Sequence, residues 1–223
     1  MPDGAEMGAY VAIPETGSGA GVLVLMEIFG VGTYIRRATE RLAELGYVAL
    51  APDLYRRIDP GLELDHDEDG LNAAMAAVGR LDQEGAVEDS VTALEHLRGL
   101  PEVSGQVGVL GFCLGGSLAF GVAASSEPAA AVSYYGSGVP DALAQADQIR
   151  CPIIFHFGAD DPFISSDQVE LVEQAARQRP SWEFHRHPGA GHAFDNHDAP
   201  QFHQPDAAAV AWEQTRAFLA REL

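Results

Sequence analysis

Apolar runs of strand length alternate with stretches of helical spacing along most of the chain. Residues 10–13 read as a short strand closed by Pro14, and residues 17–21 as a Gly/Ser turn. Residues 21–26 are continuously apolar, as in a strand buried on both faces. Ile35, Ala38, Leu42 and Leu45 recur at helical spacing over 34–45, where Gly46 stops the helix. Residues 47–51 form the next apolar strand, closed by Pro52-Asp53. The acidic stretch 56–70 contains Pro60-Gly61 and reads as a loop; a long helical region, 71–97, follows with a break near Gly85. Further strands are expected at 130–135, 152–157 and 182–187, and further helices at 114–124, 166–178 and 206–221. Such β-α alternation predicts an α/β fold, a mostly parallel central sheet with helices on both faces. No repeat, linker or large lid domain interrupts it, so residues 1–223 read as one domain. Ligands in such sheets bind outside the carboxyl ends of the strands.

Charge narrows the partners. The chain carries 33 acidic against 13 basic residues, a formal net charge of −20, and no lysine. Such a surface repels nucleic acid and anionic lipid, so neither is an expected partner. The acidity fits solubility, with adaptation to salt as an extension of that account. Two cysteines, Cys113 and Cys151, are too few for a disulfide framework and suit a reducing compartment. Residues 1–8 lack the basic and apolar regions of a signal peptide, and no apolar run is long enough to span a membrane. A soluble cytoplasmic protein is expected, a monomer or small homo-oligomer acting on a small molecule.

The candidate chemistry sits where the predicted strands end. In Val107-Gly108-Val109-Leu110-Gly111-Phe112-Cys113-Leu114-Gly115-Gly116 an apolar strand runs into Gly-x-Cys-x-Gly and then a helix. This is the layout of a nucleophile elbow, with cysteine where serine is usual. A helix N-terminus favours a thiolate, the form that attacks carbonyl carbon. Asp160 and Asp161 follow the strand 152–157, and His192 follows the last strand in the turn Pro188-Gly189-Ala190-Gly191. Nucleophile, acid and histidine occur in the order that an α/β-hydrolase fold requires. The N–H of Leu114 would be one oxyanion donor, and the N–H of Ile28, after the strand 21–26, the second. Glu27 in the same loop is a carboxylate able to accept or hold the thiol proton.

These segments resemble the dienelactone hydrolase family, α/β-hydrolases with a cysteine nucleophile. The resemblance runs over nearly the whole chain. It rests on Glu27-Ile28-Phe29-Gly30-Val31, Ala51-Pro52-Asp53-Leu54-Tyr55, Gly111-Phe112-Cys113-Leu114-Gly115-Gly116, Asp161-Pro162-Phe163 and Gly191-His192-Ala193-Phe194. It implies a Cys113-Asp161-His192 triad, chooses Asp161 over Asp160, and places Glu27 against the resting thiol. It implies ester or lactone hydrolysis through an acyl-enzyme, with no metal and no cofactor. Phe29, Tyr34 and Asn196 become candidate substrate contacts. The family's substrate-carboxylate arginines are not matched: Asn196 stands at one position, and Leu71 and Met75 lie nearest another. The loss would also deprive Glu27 of its alternative partner. A different substrate is therefore expected, with Arg56, Arg57, Arg80, His197 and His203 as candidate replacements.

Two other functions compete. A redox sensor would use Cys113 with Cys151 as resolving thiol, but Cys151 opens a strand and belongs at the opposite end of the sheet. A non-catalytic receptor would be expected to lack a triad member. His185 and His187 share a strand face, which allows a zinc pair, but solvated loop histidines are the better expectation for the C-terminal cluster.

Overall fold

A computed structural model of the chain describes residues 4–223, leaving the first three residues of the N-terminal segment outside the described residues. Seven strands form one sheet: β1 (Ala9–Ala12), β2 (Gly19–Leu25), β3 (Val48–Pro52), β4 (Val103–Phe112), β5 (Ala131–Tyr134), β6 (Ile153–Gly158) and β7 (Trp182–His187). Their order is β1-β3-β2-β4-β5-β6-β7. Only β1 runs antiparallel, at the edge beside β3; the other pairings are parallel. The continuous apolar runs are the buried strands: Val22, Leu23, Val24 and Leu25 of β2 are wholly buried, as are Val109, Leu110 and Phe112 of β4. This is the α/β fold with a mostly parallel sheet that the β-α alternation predicts, and it fits the α/β-hydrolase fold that the resemblance implies.

The helices are α1 (Thr33–Glu44), α2 (Glu68–Val78), α3 (Gln83–Arg98), α4 (Leu114–Ser125), α5 (Val139–Ala142), α6 (Ser166–Arg177) and α7 (Pro205–Glu222). From β2 the chain crosses through α1 to β3, then returns through α2 and α3 to β4 on the other side of β2. Right-handed crossovers in opposite directions place α1 and α3 on opposite faces of the sheet. The Arg41 guanidinium of α1 lies 3.8 Å above the Trp212 ring of α7, so these two helices share a face. The direction change also makes the gap between the ends of β2 and β4 a topological switch point.

Three details differ from the sequence expectation. The break in the long helical region lies between Val78 and Gln83, not at Gly85. Gly79 ends α2 and Asp82 precedes α3; a Cβ at Gly85 would meet Asp82 Oδ2 at 2.8 Å, so this glycine admits the Asp82 side chain. Leu45 lies just beyond α1 and is exposed, while Ile35, Ala38 and Leu42 face the core. The acidic loop ends earlier than expected: the Asp67 carboxylate accepts the Gly70 N–H and starts α2 at Glu68. Among the described residues, no helix is long and apolar enough to cross a membrane.

Candidate active site

β4 ends at Phe112, and Cys113 turns the chain into α4 with φ 55° and ψ −113°. A left-handed backbone at a residue bearing a side chain costs about 1–3 kcal/mol and is held only by its surroundings. Those surroundings are glycines. A Cβ at Gly111 would sit 1.9 Å from Gly115 O, and one at Gly115 would sit 2.1 Å from Leu25 O. The Cys113 N–H donates to Tyr134 O at 3.0 Å and the Gly115 N–H to Met26 O at 2.9 Å. The elbow is thereby tied to both neighbouring strands.

His192 reaches this turn from the loop after β7. Its Nε2 lies 3.2 Å from Cys113 Sγ and its Nδ1 lies 2.8 Å from Asp161 Oδ2. Asp161 divides its two oxygens: Oδ1 accepts the N–H groups of Phe163 (2.8 Å) and Ile164 (3.2 Å), which aims Oδ2 at the imidazole. Asp160 is exposed and makes no such contact among the described residues. Burial depresses the His192 pKa, but a Cys113 thiolate and the hydrogen bonds to Asp161 and Cys113 outweigh it and raise the pKa to about 10. The arrangement suits an imidazolium paired with a thiolate.

Glu27 follows β2 and is buried, and it lines the same cavity as Cys113. Its Oε2 accepts a 2.8 Å hydrogen bond from Asn196 Nδ2, while Oε1 has no hydrogen-bond partner among the described residues. The same amide lies 2.9 Å from His66 Nε2, and His66 Nε2 is 3.6 Å from Glu27 Oε2. Asn196 is fully buried and its Oδ1 accepts the Asp198 N–H at 3.0 Å. Asn196 is absent from the lining of the Cys113 cavity, and its amide pairs instead with Glu27. His66 was not singled out from sequence, since it lies in the acidic loop without periodic spacing or motif.

Tyr34 is likewise placed elsewhere than expected. It is buried, its hydroxyl donates to Asp195 Oδ2 at 2.8 Å and lies 3.3 Å from the Tyr135 hydroxyl. It borders a smaller cleft beside Glu27 and Phe29, not the Cys113 cavity. Burial raises the Asp195 pKa to about 6 against the lowering influence of Arg41. Phe29 does line the Cys113 cavity and stacks at 4.2 Å, ring centre to ring centre, on His66. The Tyr55 hydroxyl donates to Ile28 O at 2.8 Å, which fixes the loop after β2. The N–H groups of Ile28 and Leu114 take part in none of the turn, loop or cap hydrogen bonds among the described residues.

The cavity beside Cys113 holds about 450 Å³. The candidate replacement cations do not reach it. Arg56 and Arg57 both make two-pronged hydrogen bonds to Asp89, with distances of 2.7–3.1 Å. Arg80, His197 and His203 are also absent from its lining. Cys151 is buried at the amino end of β6, whereas Cys113 is at the carboxyl end of β4, and burial pushes the Cys151 thiol up to about 11.

The C-terminal histidines are not all solvated, which corrects that expectation. His187 is buried against His156 of β6, which the sequence reading passed over. His156 Nδ1 lies 3.1 Å from His187 Nε2, and its Nε2 lies 3.0 Å from Thr215 Oγ1. His185 stacks on the other side, at 5.4 Å between ring centres. Among the described residues no group of three or more His, Cys, Asp or Glu side chains could hold a metal ion.

Comparison with known proteins adds an independent line. A family model described as dienelactone hydrolase family matches residues 7–223. Carboxymethylenebutenolidase from Pseudomonas putida is 35% identical over 219 residues, covering 98% of this chain and 92% of that protein. Carboxymethylenebutenolidase 1 from Cupriavidus pinatubonensis is 35% identical over 218 residues, covering 97% and 92%. The crystal structure of dienelactone hydrolase from Anabaena variabilis shares the fold, with a TM-score of 0.74 at 20% identity, covering 99% and 94%.

Proposed function

Because the chain belongs to the dienelactone hydrolase family, and is thus a carboxylic ester or lactone hydrolase, we propose that it works through Cys113, His192 and Asp161 with an acyl-enzyme on Cys113. The observation that carries this reading is the pair of contacts on one imidazole: Nε2 to Cys113 Sγ at 3.2 Å and Nδ1 to Asp161 Oδ2 at 2.8 Å. Each ring nitrogen has one partner, so the tautomer and the direction of proton transfer are both set.

In the proposed reaction the Cys113 thiolate attacks the carbonyl carbon. A C–S bond forms and the carbonyl electron pair moves to oxygen. The N–H groups of Ile28 and Leu114 receive that oxyanion, held in place by the Tyr55–Ile28 and Gly115–Met26 hydrogen bonds. Collapse breaks the C–O bond, and the leaving alkoxide takes the proton from His192. In a lactone this alkoxide stays tethered to the acyl group. His192 then removes a proton from water, the hydroxide attacks the thioester, the C–S bond breaks, and the carboxylic acid leaves. Asp161 stabilises the imidazolium throughout. Glu27, held by Asn196 and His66, lines the same cavity as the thiol without competing with His192 for its proton.

All of these groups come from one chain, between residues 27 and 192. Cys113→Ala should abolish hydrolysis of p-nitrophenyl esters while leaving the far-UV circular dichroism unchanged; unaltered turnover would sink the assignment. Cys113→Ser should keep only weak activity, since a hydroxyl needs a stronger base than a thiol. The redox-sensor reading has less support, because Cys151 lies buried at the other end of the sheet.

A further inference from the structure

We propose that this site selects uncharged esters or lactones bearing an apolar group, and turns away substrates that carry a free carboxylate. The inference rests on the hydrolase reading of Cys113 and concerns what the cavity beside it accepts.

Charge is the first observation. The residues lining the 450 Å³ cavity include no arginine and no lysine; their charged members are Glu27, Glu84 and the triad's His192. Arg80, between Val78 and Gln83, is exposed and outside the lining, and other arginines nearby are occupied. Arg36 pairs with Glu63, Arg37 with Asp198, and Arg41 with Asp195, while Arg56 and Arg57 converge on Asp89. A substrate carboxylate entering this space would lose its water beside the buried Glu27 carboxylate, whose Oε1 is itself without a hydrogen-bond partner among the described residues. Like charges in a partly desolvated site repel, and the one cationic group in the lining, His192, is already paired with Asp161 and Cys113.

Apolar surface is the second observation. Leu71, Met75 and Val78 of α2, with Val87 of α3 and Leu118 of α4, form a wall facing the cavity. Met75 and Phe163, which also borders the cavity, are 59% and 60% exposed. Large apolar side chains left in water around a concave site gain by being covered, at roughly 25 cal/mol for each Å² removed from solvent. Gly121 belongs to the same wall and lets Val87 pack close, since a Cβ there would stand 2.8 Å from Val87 Cγ2. The substrate's apolar chain would lie along α2 and α3, with its carbonyl at Cys113 and Phe163 edge-on to His192, 5.2 Å between ring centres.

The test compares two esters of matched chain, p-nitrophenyl hexanoate and the mono-p-nitrophenyl ester of adipate, which differ by a terminal methyl against a carboxylate. The wild-type protein should show kcat/KM about 100-fold higher for hexanoate. Met75→Arg should narrow that ratio at least about tenfold at low salt, with the change fading as salt is added, whereas Met75→Gln should narrow it much less and with no dependence on salt. Met75 is exposed, so neither variant buries a charge, and thermal melting verifies the fold. Similar wild-type rates on both esters, or a preference for the adipate ester, would overturn the inference while Cys113→Ala still abolished both. No turnover of either ester, by wild type or variant, would overturn the hydrolase reading and this inference with it.

Discussion

Asn196→Ala should alter the reactivity of Cys113 although the two side chains share no hydrogen bond. Asn196 gives Glu27 its 2.8 Å hydrogen bond, and the other oxygen of Glu27 already lacks a hydrogen-bond partner among the described residues. Removing the amide leaves a buried carboxylate with His66, at 3.6 Å, as its remaining neighbour. A hydrogen bond to a charged group contributes about 1.5–3 kcal/mol, which is about 10- to 150-fold in the balance between orientations of the carboxylate. The freed Glu27 can then turn into the cavity it shares with Cys113, where its charge opposes the thiolate.

Alkylation by iodoacetamide reads the thiolate directly, and burial of Cys151 makes Cys113 the reactive site. Between pH 6 and 8, Asn196→Ala should slow labelling by about tenfold relative to wild type. The double variant Glu27→Gln with Asn196→Ala should label like Glu27→Gln alone, so the tenfold effect appears in the cycle as a coupling of about 1.4 kcal/mol. Wild-type labelling by Asn196→Ala, with additive effects in the double variant, would refute the idea that Asn196 restrains Glu27.

Two further outcomes are expected. Tyr55→Phe removes the 2.8 Å hydrogen bond to Ile28 O, so kcat for ester hydrolysis should fall about tenfold with KM and iodoacetamide labelling nearly unchanged; slower labelling would instead place Tyr55's effect on the thiol. The buried histidines predict acid sensitivity. Burial first, and neighbouring histidines second, lower the His187 pKa to about 4 and hold His156 well below the ordinary range. Both stay neutral when folded and take up protons near pH 6.5 when unfolded, so their contribution is present above that pH and is lost as pH falls toward 4. His187 alone should account for about 2 kcal/mol after allowance for solvent screening. Urea midpoints at pH 7 and 4.5 should therefore differ less in His187→Gln than in wild type, and an equal difference would remove His187 from the account.

The legible parts of this site are those whose backbone demands a particular residue. Gly111, Gly115 and Gly116 are visible in sequence because any side chain there would collide with a neighbouring carbonyl, and they frame Cys113. The strand ends carrying Glu27, Asp161 and His192 are visible because the apolar runs before them stop sharply. Side-chain partnerships across the fold are not written into any local pattern. His66 meets Asn196 across 130 residues of chain, and His156 meets Thr215 across 59. Asn196 was noticed for the arginine it is not, and its hydrogen bond to Glu27 became apparent only when both loops were in place. Leu45 and the break before α3 were misplaced because apolar spacing continues past the point where backbone capping ends a helix.

Chemistry and selectivity occupy different parts of the chain. The proposed reacting groups hang from the ends of β2, β4, β6 and β7, strands locked by parallel pairing and by the glycines of the elbow. The apolar wall comes largely from α2 and α3, which connect β3 to β4 and contribute nothing to the contacts among Cys113, His192 and Asp161. A change in α2 can thus alter the charge or shape of the cavity without moving the 2.8 Å and 3.2 Å contacts on His192. This separation lets a cysteine elbow of the dienelactone hydrolase family persist beside a cavity lined by no arginine.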